Sequence, residues 1–480
     1  MTLEDFLHPL LGPYIASPQW VKSSIGRMYS WVPLTLRRGR SYQRFFHEAQ
    51  LQDRTQIEHL SLRKLADTLR WTLETVPAYQ QYHPLLKQFD DPIALLQKLP
   101  TVNKNDLMHN LPHFLSRNMS RRAGMKTFTG GSTSVPMMFY LHKGISRTKE
   151  YAFMERFQQR VGPANNDVVL ALRGRGVPTA GRPGGRLWMY EPIKHQLILS
   201  SDHLERAYMP EYIDAMRIWK PVCIQAFPST IYPLARWLKE HPAPDVSERI
   251  KGIMLFSENV LDHHMKLIRS VFPCPVLCHY GHSERVLMAA SLPDDDRFFF
   301  WPQYGHFELV DNEGKPITEP GVLGEIVGTG FDNQVMPFIR YRTGDMAVLS
   351  DRPNLALPGF PVVERIEGRR QEFIVCRDHR LISINSLSAV HIGDLALAGV
   401  DAMQYEQDKP GHFQIKVVTT LPLSSGSRQG IVRALEAKTQ GGCTAELAEV
   451  DEIPRTQRGK HRMLVQHLDI SRYLGASEAK

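Results

Sequence analysis

The sequence predicts an α/β protein of two units: a large N-terminal domain of β-sheets flanked by helices, with an antiparallel, barrel-like sheet attached, and a small C-terminal α/β domain. Three observations lead there. From about Thr127, short apolar runs alternate with amphipathic helical stretches, the pattern of a mostly parallel sheet covered by helices. Past Phe307 the runs are joined by turn residues instead, as in an antiparallel sheet. After Gly368 a second, shorter strand–helix alternation begins. A chain of 480 residues has ample length for this, at roughly 150 residues per domain.

Taken in order, residues 1–125 form a helical entry region. Leu62, Leu65, Leu69, Leu73 and Val76 recur at helical spacing and Pro77 ends the run. Upstream, Arg37, Arg38, Arg40 and Arg44 cluster near Trp31, Tyr42, Phe45 and Phe46. A solvated basic face over an aromatic core contact accounts for them better than a nucleic-acid or membrane-surface patch. Residues 168–172, 222–226 and 252–256 are continuous apolar runs of buried strands, with helices over 211–219 and 232–240. Residues 307–310, 324–327 and 346–349 are further strands, with turns at 311–314 and 343–345. Beyond Gly368, strands fall at 373–375, 402–405 and 413–418, with a helix at 431–438. The domains are therefore placed at 1–366 and 367–480.

Composition narrows the class. With 42% hydrophobic and 22% charged residues, the chain is neither disordered nor fibrous. Lys and Arg number 58 against 50 Asp and Glu, a net charge of +8. That excess suits an anionic substrate and is too small, spread over this length, to call for nucleic acid. The 5 cysteines lack framework spacing, which predicts free thiols in a reducing compartment. No basic segment precedes an apolar run near Met1 and no apolar stretch reaches the ~18 residues of a membrane span. The expectation is a soluble cytoplasmic protein whose oligomeric state, a homodimer included, stays open. Cys274, Cys278, His279 and His282 crowd together, but a strand sends alternate residues to opposite faces, so burial is favoured over zinc.

Several blocks carry polar side chains suited to phosphate chemistry. Thr129, Gly130, Gly131, Ser132 and Thr133 form a glycine–hydroxyl loop whose N–H groups could face phosphate oxygens. Without a following lysine it is not a Walker loop. Tyr280, Gly281, His282, Ser283 and Glu284 follow a strand and set a carboxylate past a tight turn, fit for a magnesium ion. Asp345 closes a Tyr-Arg-Thr-Gly-Asp block with an acceptor for two ribose hydroxyls. Arg369 and Gln371 mark the domain junction, and Lys460 sits on a glycine-bearing loop as a movable cation would. Each block taken singly also has an ordinary structural role open to it: a loop, a capping Asp, a surface Glu, a solvated Lys.

In this order the blocks resemble the adenylate-forming superfamily of acyl-CoA synthetases, luciferases and peptide-synthetase adenylation domains, over most of the chain. Residues 71–79, ending Val76-Pro77-Ala78-Tyr79, and residues 99–107 look like the phenylacetate–CoA ligase branch. Residues 368–382 look like its capsule-biosynthesis-associated, coenzyme F390 synthetase-like members. The resemblance implies an ATP-dependent, AMP-forming ligase with a mobile C-terminal lid. Such an enzyme adenylates a carboxylic acid, releases pyrophosphate and passes the acyl group on, with CoA the favoured acceptor, in capsular, exopolysaccharide or secondary metabolism. It implies roles residue by residue. Thr129 to Thr133 would hold the ATP phosphates. Ser257, Glu258, Tyr280, Gly281, His282 and Ser283 would line the adenine and acyl side, with Glu284 at Mg2+. Asp345 would take the ribose and Arg369 approach the nucleotide. Phe227 and Ser229, with Tyr280, would wall the acyl pocket. Gln371 would be the hinge, and Lys460 would bridge the attacking carboxylate and the α-phosphate.

The chain departs from that pattern at Ser134, at Gly130, at the hinge residue Gln371, and at residues 376–380, where no glycine-rich loop is present. Two rivals follow from these departures. One is an adenylyl transfer to a hydroxyl, or acyl transfer to an amine or sugar. The other is a non-catalytic nucleotide-binding protein of a polysaccharide locus.

Overall fold

In the computed structural model, residues 13–14, 17–129, 137–162, 167–173, 177, 185–201, 203–369, 372–384, 387, 400–419, 421–454 and 462–473 are described. The entry region is helical, and its longest helix, Arg54–Thr75, is capped by Asp53, whose carboxylate accepts the Gln56 N–H at 2.8 Å. It stops at Val76 because the residue before a proline is driven to extended geometry. Leu65, Leu69 and Leu73 are fully buried, whereas Leu62 is 39% exposed. Of the aromatic residues among the arginines, Tyr42 and Phe45 enter the core and Trp31 is left 80% exposed.

The strands are numbered in chain order. β1 (Gly124–Phe128) and β2 (Met138–His142) form an antiparallel hairpin. The large sheet takes β3 (Val169–Leu172), β4 (Trp188–Glu191), β5 (Gln196–Leu199), β6 (Cys223–Ala226), β7 (Gly252–Phe256) and β8 (Val276–Gly281). It continues through β9 (Met288–Leu292), β10 (Asp295–Phe300), β11 (Gly305–Val310), β12 (Leu323–Gly330), β13 (Tyr341–Leu349) and β14 (Val362–Arg369). The order is β11-β12-β13-β14-β10-β9-β8-β7-β6-β3-β5-β4. β5, β3, β6, β7 and β8 run parallel, and from β8 onward every pairing is antiparallel.

The barrel-like second sheet of the sequence expectation is thus the continuation of the first. β9 pairs along the free edge of β8 and extends the ladder outward, and among the described strands no barrel closes. The parallel strands are buried on both faces, which is why they read as unbroken apolar runs. Alternation on β7 sends Ile253 and Leu255 to one core, beneath helices Met209–Trp219 and Pro228–Glu240. Met254 and Phe256 go to another, beneath helices Ser146–Gln158 and Tyr42–Gln50. The expected turn at 343–345 lies inside β13, where Gly344 has φ +78° and the register with β12 shifts. It is a bulge, a kink that keeps both sides of the strand paired.

Past β14, β15 (Phe373–Val375) and β16 (Leu381–Ser383) form a hairpin. β17 (Val400–Lys409), β18 (His412–Thr419), β19 (Thr444–Glu449) and β20 (Leu464–Gln466) make a sheet in the order β19-β18-β17-β20. Helix Ser425–Lys438 places Ile431 and Leu435 over Phe413, Ile415 and Val417. Fully buried Gln407 fastens the hairpin to this sheet: its Oε1 accepts the Val375 N–H at 2.7 Å and its Nε2 donates to the Val375 carbonyl at 2.9 Å. Among the described residues no helix is long and apolar enough to cross a membrane.

Candidate active site

The carboxyl ends of β3, β6, β7 and β8 lie side by side. In open α/β sheets this edge is where ligands bind, because the chain leaves each strand there through a loop. Arg173, Phe227, Ser257 and His282 are the first residues past those ends. Two of the loops are tightly built. Ser257 holds a left-handed φ of +62°, a conformation costing a non-glycine residue roughly 1–3 kcal/mol. The Glu258 carboxylate accepts both the N–H and the hydroxyl of Ser229, each at 3.1 Å. Ser229 stands in the first turn of helix Pro228–Glu240, so Glu258 acts there as an anionic cap.

Across the sheet, β13 supplies the acidic side. The Gly344 bulge is held by Glu325, whose Oε1 accepts the Gly344 N–H at 3.1 Å while Oε2 accepts from Arg342 Nε at 2.8 Å. The kink turns Asp345 toward β8, where the Tyr280 hydroxyl donates to its Oδ2 at 2.8 Å. Burial, with the Asp345 charge next, pushes the Tyr280 phenol well above its ordinary range, so it stays a donor. Tyr341, at the start of the same strand, donates its hydroxyl to Glu284 Oε1 at 2.8 Å, and Glu284 is only 8% exposed. The β13–β14 register sets Arg369 opposite Asp345.

The structure therefore brings Tyr280, Glu284 and Asp345 together, with Phe227, Ser229, Ser257, Glu258, Gly281, His282 and Ser283 on the adjoining strand ends. Thr129 is at the root of the glycine loop. Its Oγ1 accepts the Met137 N–H at 2.8 Å and its own N–H donates to the Met137 carbonyl at 2.9 Å, pinching the loop shut at its base. Gly130, Gly131, Ser132, Thr133, Gln371 and Lys460 lie outside the described residues. Two residues with parts in the site carried no role in the sequence. Tyr341 stands four residues before Asp345 in the same block, and that shared block was the available signal. His279 precedes Tyr280 on β8 and so faces the opposite side of the sheet, with its ring 5.1 Å from that of Phe256 and 5.5 Å from that of Phe157. Cys278 instead packs into the core beneath helix Pro228–Glu240.

The junction is equally specific. Gly368 has φ +107°, and a Cβ there would lie 2.5 Å from Asn259 Nδ2, within the Asn259–Glu372 contact. Asn259 Nδ2 donates to Glu372 Oε2 at 3.2 Å, tying the loop after β7 to the segment that follows β14.

With this geometry in hand, comparison with known proteins is informative. The chain is similar to Protein CapK of Staphylococcus aureus, at 22% identity over 78% of this chain and 81% of that protein. It is also similar to the phenylacetate-coenzyme A ligase of Pseudomonas putida, at 23% identity over 65% of this chain and 71% of that protein. Residues 376–467 match the CapK C-terminal domain family. Among solved structures, 2-hydroxyisobutyryl-CoA ligase, crystallised in its postadenylation state with 2-HIB-AMP, superimposes with a TM-score of 0.64 at 15% identity, covering 86% of this chain and 90% of that one. The chain thus shares the fold of that CoA ligase. Its sequence is similar to CapK and to phenylacetate-coenzyme A ligases, with the CapK C-terminal domain match confined to residues 376–467.

Proposed function

We propose that this protein is an ATP-dependent, AMP-forming ligase: a carboxylic acid and ATP yield an acyl-adenylate and pyrophosphate, and the acyl group then passes to CoA. The observation that carries this reading is the convergence of Tyr280, Asp345, Tyr341 and Glu284 through two hydrogen bonds of 2.8 Å at the edge of the large sheet. Asp345 is an anionic acceptor oriented by the Tyr280 phenol, and a carboxylate is the group type that takes a pair of ribose hydroxyls. The Tyr280 ring would lie beside the base. The glycine loop closed by Thr129 would offer its N–H groups to the phosphates.

A carboxylate attacking an α-phosphate brings two anions together, so positive charge fixed at the forming bond lowers the barrier. Lys460 is assigned that charge. Glu284 is the residue that fits a magnesium ion: Tyr341 occupies Oε1, Oε2 has no partner among the described residues, and a carboxylate oxygen is the donor type this cation takes. When bound, the ion would supply charge neutralisation at the phosphate oxygens. CoA is the favoured acceptor because relatives of this branch carry that name. A place in polysaccharide assembly rests on the resemblance of residues 368–382 to capsule-biosynthesis-associated members of that branch.

The test is ATP–pyrophosphate exchange across a panel of carboxylic acids, followed by addition of CoA and mass analysis of the product. Acid-dependent exchange and a thioester product are the expected results. Absence of exchange with every acid would overturn the reading. Exchange without thioester would move the acceptor to an amine or hydroxyl, and an AMP-bearing product would identify adenylyl transfer.

A further inference from the structure

The ends of the parallel strands carry buried polar nitrogens. His279 is sent by strand alternation to the face of β8 opposite Tyr280, where its ring meets Phe157 and Phe256. The Arg173 guanidinium lies over the Phe256 ring, 4.8 Å from its centroid. Among the described residues His279 Nε2 is buried without a hydrogen-bond partner, and so are both ring nitrogens of His282 on the turn that follows. Gly281 is what lets the His279 ring fold back along the strand, since a Cβ there would come within 2.8 Å of its Cε1. Buried polar atoms are nearly always paired, so several unpaired nitrogens at the strand ends mark where a ligand's polar group goes.

Resting on the adenylation reading, we propose that the acyl side of this crevice takes a carboxylic acid whose tail bears a hydroxyl or oxo oxygen, and that His279 and His282 are the residues that select it. The chemistry matches on both sides. Burial, with Arg173 and His282 next, pushes His279 down to about 3, so at neutral pH it offers one N–H and one lone pair. A hydroxyl can pair with His279 Nε2 in either tautomer, and an oxo oxygen can pair with it when that nitrogen carries the proton. Phe157 and Phe256, both buried in the core, back the His279 ring and fix its direction. An unsubstituted aryl or alkyl acid would fill the same space and leave the nitrogens unpaired, the situation in which polar pockets discriminate most strongly.

Matched pairs test this with the full-length protein: 4-hydroxyphenylacetate against phenylacetate and 3-hydroxybutyrate against butyrate, each in pyrophosphate exchange. The wild-type protein should favour the oxygenated member of at least one pair by ~10²–10⁴-fold in kcat/KM. His279→Phe keeps an aromatic wall without ring nitrogens and should collapse that ratio toward unity with ATP affinity unchanged. His279→Asn, which retains a donor and an acceptor, should restore part of it. Equal or better turnover of the unsubstituted acids by the wild-type protein, or a ratio indifferent to His279→Phe in a variant that still binds ATP, would overturn the proposal. Should no acid of either class support exchange while ATP binds, the adenylation reading fails and takes this inference with it.

Discussion

The two halves of the site are built on unlike foundations. Tyr280, Glu284 and Asp345 belong to strands or strand ends of a continuous sheet, and the cores on its two faces include fully buried Phe139, Phe157, Phe272, Phe299 and Phe300. Lys460 lies in sequence between β19 and β20, and among the described residues those strands belong to a four-stranded sheet whose core gathers around Tyr405, Phe413 and Ile415. Polar contacts between the two include Asn259 Nδ2 to Glu372 and Arg236 Nη1 to the Val400 carbonyl, each at 3.2 Å. Contacts of this kind are each worth only about 1 kcal/mol net. The difference suggests a division of labour under the proposed function: the groups assigned to nucleotide are held by packing in the large sheet, while the charge assigned to the chemical step is carried by the C-terminal segment.

The largest effect should come from Lys460. Lys460→Ala should lower adenylation by ~10²–10³-fold, mainly in kcat, because a charge acting chiefly in the transition state contributes little to ground-state binding. ATP affinity and folding should persist. Near wild-type exchange in this variant would remove Lys460 from the chemistry and the contrast with it.

On the rigid side the defect should be one of binding. Asp345→Ala forfeits charge-assisted hydrogen bonds worth ~1.5–3 kcal/mol each, so nucleotide affinity measured by calorimetry should fall at least ~10-fold. Unchanged affinity would exclude Asp345 from the nucleotide site.

A pH experiment probes the same rigid wall. His279 is held at about 3 in the folded protein against an ordinary 6.5, by burial first. Between those values the unfolded chain binds the extra proton, so stability present above pH 6.5 is lost as the pH falls toward 3. His279→Phe should flatten that part of the acid limb, measured as the urea midpoint from pH 7 down to 4. A limb identical to wild type would show that His279 is solvated.

The smallest effect belongs to Tyr280→Phe. It keeps the ring and removes one hydrogen bond to Asp345, worth ~1 kcal/mol, so ATP affinity should weaken only a few-fold. A loss as large as that of Asp345→Ala would mean the phenol itself contacts nucleotide.

The sequence by itself determined the parts list. A strand buried on both faces must be apolar throughout, so β3, β6 and β7 were visible as runs, and helix Met209–Trp219 as an amphipathic stripe. Tyr280, Glu284 and Asp345 stood out because glycine-bearing turns set polar residues beside apolar strands. The tertiary structure alone decided how these parts meet. It decided that the antiparallel strands extend the parallel sheet, since pairing at the β8 edge is a long-range choice that no local propensity encodes. It turned the Thr343–Asp345 segment into a bulge, because strands on both sides keep β13 extended. It joined Tyr280 to Asp345 across 65 residues and Tyr341 to Glu284 across 57, and it committed Glu258 to Ser229 as a helix cap. Periodicity is local, and burial writes it into any strand or helix. Register, partner and side-chain direction depend on which distant segments close-pack, and that is settled only when the whole core forms.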